Sequence, residues 1–355
     1  SVAAVVKAMV EEQVAKHEND EIANQKATIA ALTAALEAKQ MDHAHVQLTT
    51  GGEVVELVSA AHVKALEKQI EECARRGDAQ DAEIGSANFA AAAAQTDSIL
   101  LGTSIMRSWT RHPIVAARQA QTIAGIAPGR IRLGIGPSHR DSMTQTFGVD
   151  FSEPLGHLKE YIQILTGLSH KGKIDFDGRH YSAHFVMSFP TNVPVMASAL
   201  RTASFEACGE LADGAISWVC PLSYVRDVAL PALKLGADRA GRPTPPLIVH
   251  APVCVNEDLE AARNGVRDQL GYFPTTPFYA RMFERAGFAE SDQTGWTDDM
   301  LDSVLIAGSE EQVAEKLNEI FAWGGSEVLA SVITVGDTEA SRERTMKLIA
   351  DVSAS

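Results

Sequence analysis

The first quarter of this 355-residue sequence lacks aromatic residues and proline altogether. All 21 aromatic residues and all 14 prolines come after position 87. A segment without large side chains has little from which to build a core of its own. Residues 1–88 also hold 8 basic against 15 acidic residues, so this end is acidic as well. We therefore expect it to be organised differently from the remainder of the chain.

Three further features that the sequence lacks exclude certain classes of protein. The net charge of −15 argues against nucleic acid or an anionic membrane as a partner. No apolar run is long enough to span a bilayer, and the first residues turn acidic too soon for a signal peptide. The four cysteines show neither CxxC nor metal-ligand spacing. We expect a cytoplasmic protein with reduced thiols and without a metal site.

The composition of residues 1–86 predicts an acidic, mostly helical segment. Helices are expected at 1–39 and 54–76, with a short strand at 46–48. The first helix carries a narrow apolar stripe, but polar residues interrupt its heptad, which favours packing on a neighbour over a coiled coil. We predict that this helix contacts another subunit and that the chain forms a homo-oligomer. The stripe consists of Ile22, Ile29, Leu32 and Leu36.

A strand–helix–strand pattern occupies the middle of the chain. The apolar run at 99–101 is typical of a buried parallel strand. Pro113 then opens an amphipathic helix, and residues 131–135 form a second buried run that ends in glycine. Such a crossover is right-handed and makes the two strands parallel. Ligands of parallel α/β folds bind at the carboxyl ends of the strands.

The alternation continues to the C terminus and predicts an α/β fold with one parallel sheet. A loop is expected after 139, a cap at Ser152 for the next helix, a turn-rich excursion at 176–190 and a helical insertion at about 272–305. The predicted strands are 193–198, 214–219, 247–255 and 327–335. The predicted helices are 153–168, 202–212, 221–240, 258–270, 309–323 and 339–352.

Five stretches then suggest a family: LGTSI at 101–105, RHP at 111–113, GRIRLGIGPSHR at 129–140, FDGRHYS at 176–182 and ASALRTASFEACGELADGAISW at 197–218. In order and spacing they resemble the bacterial luciferase-like monooxygenase superfamily, and most of all its branch of oxidoreductases that use the deazaflavin coenzyme F420. The resemblance covers residues 87–355. It implies a (β/α)8 TIM-type barrel that binds F420, or alternatively FMN, at the carboxyl ends of its strands.

Before residue 87 the sequence departs from the family pattern. The family places its first two strands there, and the second strand supplies a polar group, often histidine, that faces the cofactor. Residues 46–48 could serve as the first strand, but 77–87 hold no buried-strand pattern and no counterpart of that group. Two interpretations stay open: an irregular first βα unit of the barrel, or a replacement segment with another role.

Small and polar residues follow the predicted strands at the edge where the resemblance places the cofactor. At Thr103, Ser104 and Ile105 the resemblance implies a bulge with a strained peptide bond beneath the ring; the alternative is an ordinary strand exit. Gly136, followed by Ser138, would let a planar ring approach the backbone. The glycines at 134 and 136 are not a dinucleotide fingerprint, because the third glycine is absent.

The remaining candidates follow three strands. His139 titrates near neutrality and is the candidate catalytic proton donor or acceptor; the alternative is a loop histidine bonded to backbone. Ser198, Arg201 and Thr202 join a strand to a helix, whose N terminus and neighbouring cation suit a phosphate, which the family's coenzymes carry there. The alternative is a helix capped by its own threonine. Trp218 ends the next strand. Two roles stay open for its side chain: a wall of the cofactor pocket, or a part of the hydrophobic core.

Two functions follow as hypotheses. The first is an oxidoreductase that transfers a hydride between F420 (or FMN) and a small organic substrate. The second is a non-catalytic structural or assembly protein on a degenerate luciferase-like barrel. The acidic N-terminal segment and the missing second strand motivate this alternative. The residues themselves do not distinguish F420 from FMN.

Overall fold

The computed structural model of the protein describes residues 92–93, 96–288 and 295–354. The helices predicted at 1–39 and 54–76 and the strand predicted at 46–48 lie outside these residues. Within the described ranges, no helix combines the length and the apolar character that crossing a membrane requires.

One parallel sheet of eight strands organises the described residues. Its main path runs, in order, through Leu101–Gly102 (β1), Ile131–Gly136 (β3), Val195–Ser198 (β6), Gly214–Trp218 (β7), Leu247–Val255 (β8) and Glu327–Val332 (β10). The short strands Met106–Arg107 (β2) and Ile306–Gly308 (β9) pair with β3 and β8. All of these pairs are parallel. The predicted α/β fold with six strands side by side is confirmed.

The two faces of the sheet bury different side chains. Val249 and Val253 of β8 belong to the large core that the helices cover. Ile248, one position away, packs instead with Met196 of β6 and Ile216 of β7 in a separate cluster, which Leu329 of β10 also contacts. Because strands that are not neighbours share this second cluster, the sheet curves around it, as the wall of a barrel does.

Eleven helices within the described residues connect the strands or follow them. His112 caps the first, because its Nδ1 accepts a hydrogen bond from the amide of Ile114 at 3.3 Å. A π-helical turn at 225–229 joins the fifth and sixth. The helices are Pro113–Ile126 (α1), Arg140–Phe147 (α2), Pro154–Lys171 (α3), Thr202–Leu211 (α4), Leu222–Tyr224 (α5), Leu230–Arg239 (α6), Leu259–Leu270 (α7), Pro277–Arg285 (α8), Asp298–Val304 (α9), Glu310–Ala322 (α10) and Thr338–Ala354 (α11).

Two local predictions around α3 are wrong. Residues after His139 form helix α2 and not a loop; Gly148 ends this helix in the left-handed conformation at φ 64°. Ser152 does not cap α3. The cap residue is Glu153, and the Ser152 hydroxyl donates to the carboxylate of Asp150 at 3.0 Å. Pro154 favours the first helical position of α3, which makes Glu153, and not Ser152, the cap residue.

The excursion between α3 and β6 has regular structure that the sequence reading missed. Lys173–Asp177 (β4) and Ser182–Val186 (β5) form an antiparallel hairpin. Along β4 exposed residues alternate with half-buried Ile174 and Phe176. This is the period-two pattern of a strand with one solvated face. Within 176–190, bends remain only at 179–180, between the two strands, and at 188–189, after the second.

Candidate functional site

The segment after β1 is fixed against β3 by the hydroxyl of Thr103. This hydroxyl donates to the carbonyl of Gly134 at 2.7 Å and accepts from the amide of the same residue at 2.9 Å. A Cβ at Gly134 would lie 1.9 Å from the carbonyl oxygen of Thr103, so only glycine permits this approach. The peptide bond between Ser104 and Ile105 is cis. Thr103 thereby places the exposed Ser104 at the carboxyl edge of the sheet.

Gly136 is required for a reason other than the one that the sequence suggested. A Cβ there would lie 2.2 Å from Ser198 Oγ and 2.7 Å from Ile105 Cδ1. Those two side chains therefore occupy the space that a side chain at Gly136 would take. The absence of a side chain at Gly136 lets the ends of β1, β3 and β6 pack together. The space beside its Cα is filled by Ser198 and Ile105 and is not open to a ligand.

His250 is the site residue that sequence reasoning missed. It lies in β8, and its Nδ1 is 3.3 Å from Ser104 Oγ, within hydrogen-bond distance. Its ring is 4.0 Å from the ring of Trp218, centre to centre. Burial lowers the pKa of His250 to about 4, so the imidazole is neutral at pH 7. The sequence feature that could have identified His250 is its position as a single polar residue within the apolar run LIVHAPVCV at 247–255.

His139 lies among aromatic side chains of the predicted insertion. Its ring is 5.8 Å from the rings of Tyr272 and Phe273 and 5.9 Å from that of Tyr279. Burial, and secondarily the charge of Arg107, lowers the pKa of His139 below its usual value. At neutral pH the group is therefore better suited to accept a proton than to donate one.

The N terminus of α4 follows β6 directly, as predicted. The cap residue is Arg201, without a side-chain cap bond, so the alternative of a helix capped by Thr202 is not what the structure has. The Ser204 hydroxyl accepts from the amides of Leu200 and Arg201, both at 3.0 Å. In the described part of the chain no side chain caps the amides of Thr202 and Ala203. They remain available to an anion.

Aromatic contacts connect the predicted residues into one region. Phe273 lies between His139 and Trp218, with ring centres 5.8 Å from each. Ser138, just before His139, adopts a left-handed conformation at φ 61°. The structure thus brings the ends of β1, β3, β6 and β7 together with the middle of β8, where His250 lies. Cys208, Cys220 and Cys254 are buried unpaired thiols, and no metal-binding group of three or more His, Cys, Asp or Glu side chains occurs within the described ranges.

Comparison with known proteins identifies the family. The sequence model of luciferase-like monooxygenases matches residues 85–327. The chain belongs to the luciferase-like monooxygenase family. The match begins close to the position where the sequence first resembles the family, and residues 1–84 lie outside it.

Curated relatives of this luciferase-like chain include both characterised and uncharacterised proteins. An uncharacterised protein of Mycobacterium tuberculosis is 28% identical over 56% of this chain and 64% of its own length. The chain thus spans just under two thirds of that relative. A 5,10-methylenetetrahydromethanopterin reductase of Methanolobus tindarius is 27% identical over 72% of this chain and 83% of the relative. An F420-dependent glucose-6-phosphate dehydrogenase of Beutenbergia cavernae is 31% identical over 49% and 56%.

Solved structures share the fold of the luciferase-like chain. The coenzyme F420 dependent tetrahydromethanopterin reductase of Methanopyrus kandleri superposes with a TM-score of 0.60 at 19% identity, over 76% of this chain and 86% of that one. The oxygenating constituent of 3,6-diketocamphane monooxygenase of Pseudomonas putida, in complex with FMN, gives 0.56 at 18% identity, over 76% and 83%.

Proposed function

We propose that this protein is an oxidoreductase that binds coenzyme F420 at the carboxyl ends of its strands and transfers a hydride between the cofactor and a small organic substrate. FMN is the alternative cofactor. The observation that carries the proposal is the start of α4, where, among the described residues, no side chain caps the amides of Thr202 and Ala203 and the cap residue is the cation Arg201. It directly follows the carboxyl end of β6, next to the strand that ends in Trp218. The F420-dependent dehydrogenase among the relatives supports it.

The residues at this edge fit a cofactor that has both a phosphate and a flat ring. A phosphate at the N terminus of α4 gains about 0.3–1 kcal/mol from the helix dipole when exposed, and up to about 2 when partly buried. A charge-assisted bond from Arg201 adds about 1.5–3 kcal/mol. The backbone at Ser104 and Ile105, together with Ser138, Ser198 and the Trp218 ring, would border the ring.

When bound, the cofactor ring supplies the hydride chemistry. The protein's own groups orient the reactants and hold the protons. His139, neutral at pH 7, would accept a proton from a substrate hydroxyl as the hydride leaves its carbon, and would return that proton in the reverse direction. His250 would hold the Ser104 hydroxyl in a fixed orientation at the ring edge. The aromatic side chains of the insertion would exclude water from the reacting atoms.

Titration of the purified protein with F420 and with FMN, followed by absorbance and fluorescence, tests the proposal. Arg201→Ala should weaken cofactor binding about 10- to 100-fold, because each 1.4 kcal/mol is a factor of ten. The same change should barely affect a phosphate-free analogue of the ring. Arg226→Ala is the matched control, since Arg226 is exposed and paired with Asp227 at 2.7 Å.

Equal losses for the two ligands would mean that Arg201 is structural. If the wild-type protein bound neither cofactor, the result would favour the alternative function, a non-catalytic assembly protein on a degenerate barrel.

A further inference from the structure

The residue that follows β7 adopts a backbone conformation that its side chain disfavours. Val219 comes directly after Trp218 and has φ 51°, in the left-handed region. Within the described ranges, three other non-glycine residues share this region, namely Ser138, Glu153 and Asn192, and none of them is β-branched. For a β-branched residue the conformation is exceptional, because both branches on Cβ crowd the neighbouring backbone. Glycine is the usual residue at such a position.

The surroundings hold Val219 in this conformation. Its side chain is fully buried in the large core that the helices cover. Across the bend, the thiol of Cys220 donates to the carbonyl of Trp218 at 3.5 Å. Pro221, which caps α5, comes next and restricts Cys220 to an extended conformation. Strained residues persist only where their surroundings fix them in this way, and they cluster at functional sites.

The bend leaves the ring of Trp218 at the edge of the sheet. Trp218 is in register with His250 of β8, and the two rings are 4.0 Å apart, centre to centre. They lie two positions beyond Ile216 and Ile248, which face the concave side of the sheet, so both rings face that side as well. Because β7 ends at this point and Val219 turns the chain, the Trp218 ring stays half exposed.

We propose that Val219 is a positioning residue of the oxidoreductase, which holds the Trp218 ring beside His250 as a fixed wall against which the cofactor ring stacks. Glycine would fit the bend without strain but would leave the turn free to move. The buried branches of valine remove that freedom, so the chain loses stability and keeps the ring in one orientation. A surface that is ordered before the ligand arrives loses less entropy on binding. This inference rests on the proposed function.

The first measurement tests the strain at Val219 by comparing two substitutions there. Alanine and glycine both remove the buried branches, so the difference between the two variants reports the backbone. In chemical denaturation, Val219→Gly should have an unfolding equilibrium constant about 5- to 30-fold lower than Val219→Ala, because glycine adopts the left-handed conformation freely. Val195 is the matched control, since it is equally buried in the same core but lies in the regular strand β6. There the order should reverse, by about 2- to 5-fold.

The second measurement follows the ring of Trp218. Fluorotryptophan replaces the four tryptophans, and the fluorine resonance that Trp218→Phe removes is assigned to Trp218. Val219→Gly should shift or broaden this resonance. It should also weaken F420 binding about 2- to 10-fold, as expected for one aromatic contact. Val195→Gly loses the same buried side chain at the amino end of β6 and should change neither quantity, which separates positioning from a general loss of stability.

Other results overturn the proposal in distinguishable ways. If Val219→Gly were no more stable than Val219→Ala, the valine would not be strained. If the order held but the Trp218 resonance and the F420 affinity stayed as in wild type, the strain would not position the ring. If the wild-type protein bound neither F420 nor FMN, the proposed function would fail and the role of Val219 in it as well, even with a shifted resonance.

The alanine variants decide the matter if the glycine variants do not fold. Val219→Ala should then destabilise the protein less than Val195→Ala, because alanine is less hindered than valine in the left-handed conformation. Only Val219→Ala should shift the Trp218 resonance. Equal destabilisation, or a resonance that moves in both variants or in neither, would contradict the proposal.

Discussion

Arg132 and Glu327 form a two-pronged ion pair although β6, β7 and β8 lie between their strands in the sheet. One prong, from Nη1 to Oε2, measures 2.6 Å, and Nη2 bonds the other carboxylate oxygen. The two side chains are 23% and 20% exposed. The pair reaches across the concave side of the sheet from β3 to β10 and holds the curvature on which the site edge depends.

We therefore expect Arg132→Met to lower the free energy of unfolding by about 3 kcal/mol, because it leaves the Glu327 carboxylate partly buried and unpaired. Replacing both residues, Arg132→Met with Glu327→Leu, should recover most of the loss. Chemical denaturation of the two single variants and the double variant measures the coupling, expected at about 1–3 kcal/mol. Simply additive losses would show that the pair does not stabilise the curvature.

The packing of α4 on α6 depends on two glycines. A Cβ at Gly236 would lie 1.9 Å from the Glu206 carbonyl oxygen, and one at Gly209 would lie 2.0 Å from that of Leu233. Gly236→Ala should therefore force the helices apart and cost about 1–3 kcal/mol in the free energy of unfolding. Gly125→Ala in α1 is the control, because nothing lies within 4 Å of its added Cβ. That change should stabilise the protein by up to about 1 kcal/mol, since alanine favours helix over glycine. Equal effects of the two substitutions on the denaturation midpoint would contradict this account of the packing.

Stability should fall in acid because of the buried His157. Its ring stacks on Trp109 at 3.6 Å, and its Nε2 lies 2.7 Å from the Tyr181 hydroxyl. Burial, and secondarily the charge of His180, lowers the pKa of His157 to about 4 from an ordinary value near 6.5. Between these two pH values the unfolded chain binds more protons than the folded one. The free energy of unfolding should thus decrease by about 3 kcal/mol as the pH falls from 6.5 to 4.

His157→Gln should remove this part of the pH dependence, as measured by urea denaturation from pH 7 to pH 4. The carboxylates titrate in both proteins, so the difference between the two profiles isolates the histidine. His184→Gln is a control of opposite sign, because Asp175 and then Asp177 raise the pKa of that exposed histidine. It should reduce stability at low pH only. Identical profiles for wild type and His157→Gln would rule out the buried imidazole as the cause.

The prediction that the chain forms a homo-oligomer can be tested on the full-length protein. If the apolar stripe of the predicted helix at 1–39 packs on another subunit, placing glutamate at Leu32 and Leu36 should dissociate the assembly, because it buries charge without a partner. Gln25→Glu is the control, since Gln25 interrupts the stripe. Sedimentation equilibrium gives the mass of each. A wild-type protein that sediments as a single chain would contradict the prediction.

The amino-acid sequence by itself determined the order of the six strands on the main path of the sheet and of the long helices that connect them, from residue 99 onward. Buried parallel strands appear as apolar runs, and amphipathic helices repeat every 3.6 residues, so both leave a local signal. It also determined that the ends of the strands at 101–102, 131–136 and 195–198 meet at one edge, because parallel strands share their direction. Thr103, Ser198 and Arg201 could therefore be placed at this edge from the sequence.

Only the tertiary structure decided which side chains act together. Ser104 and His250 are 146 positions apart, and β8 gives no local sign that its histidine faces the end of β1. Arg285 and Thr202 are 83 positions apart and meet because α8 crosses the start of α4. The hydrophobic periodicity of a sequence indicates whether a residue is buried and on which face of its helix or strand it lies. It does not indicate which residue it contacts. The partner depends on how far the sheet curves, and that is set by packing across the whole molecule.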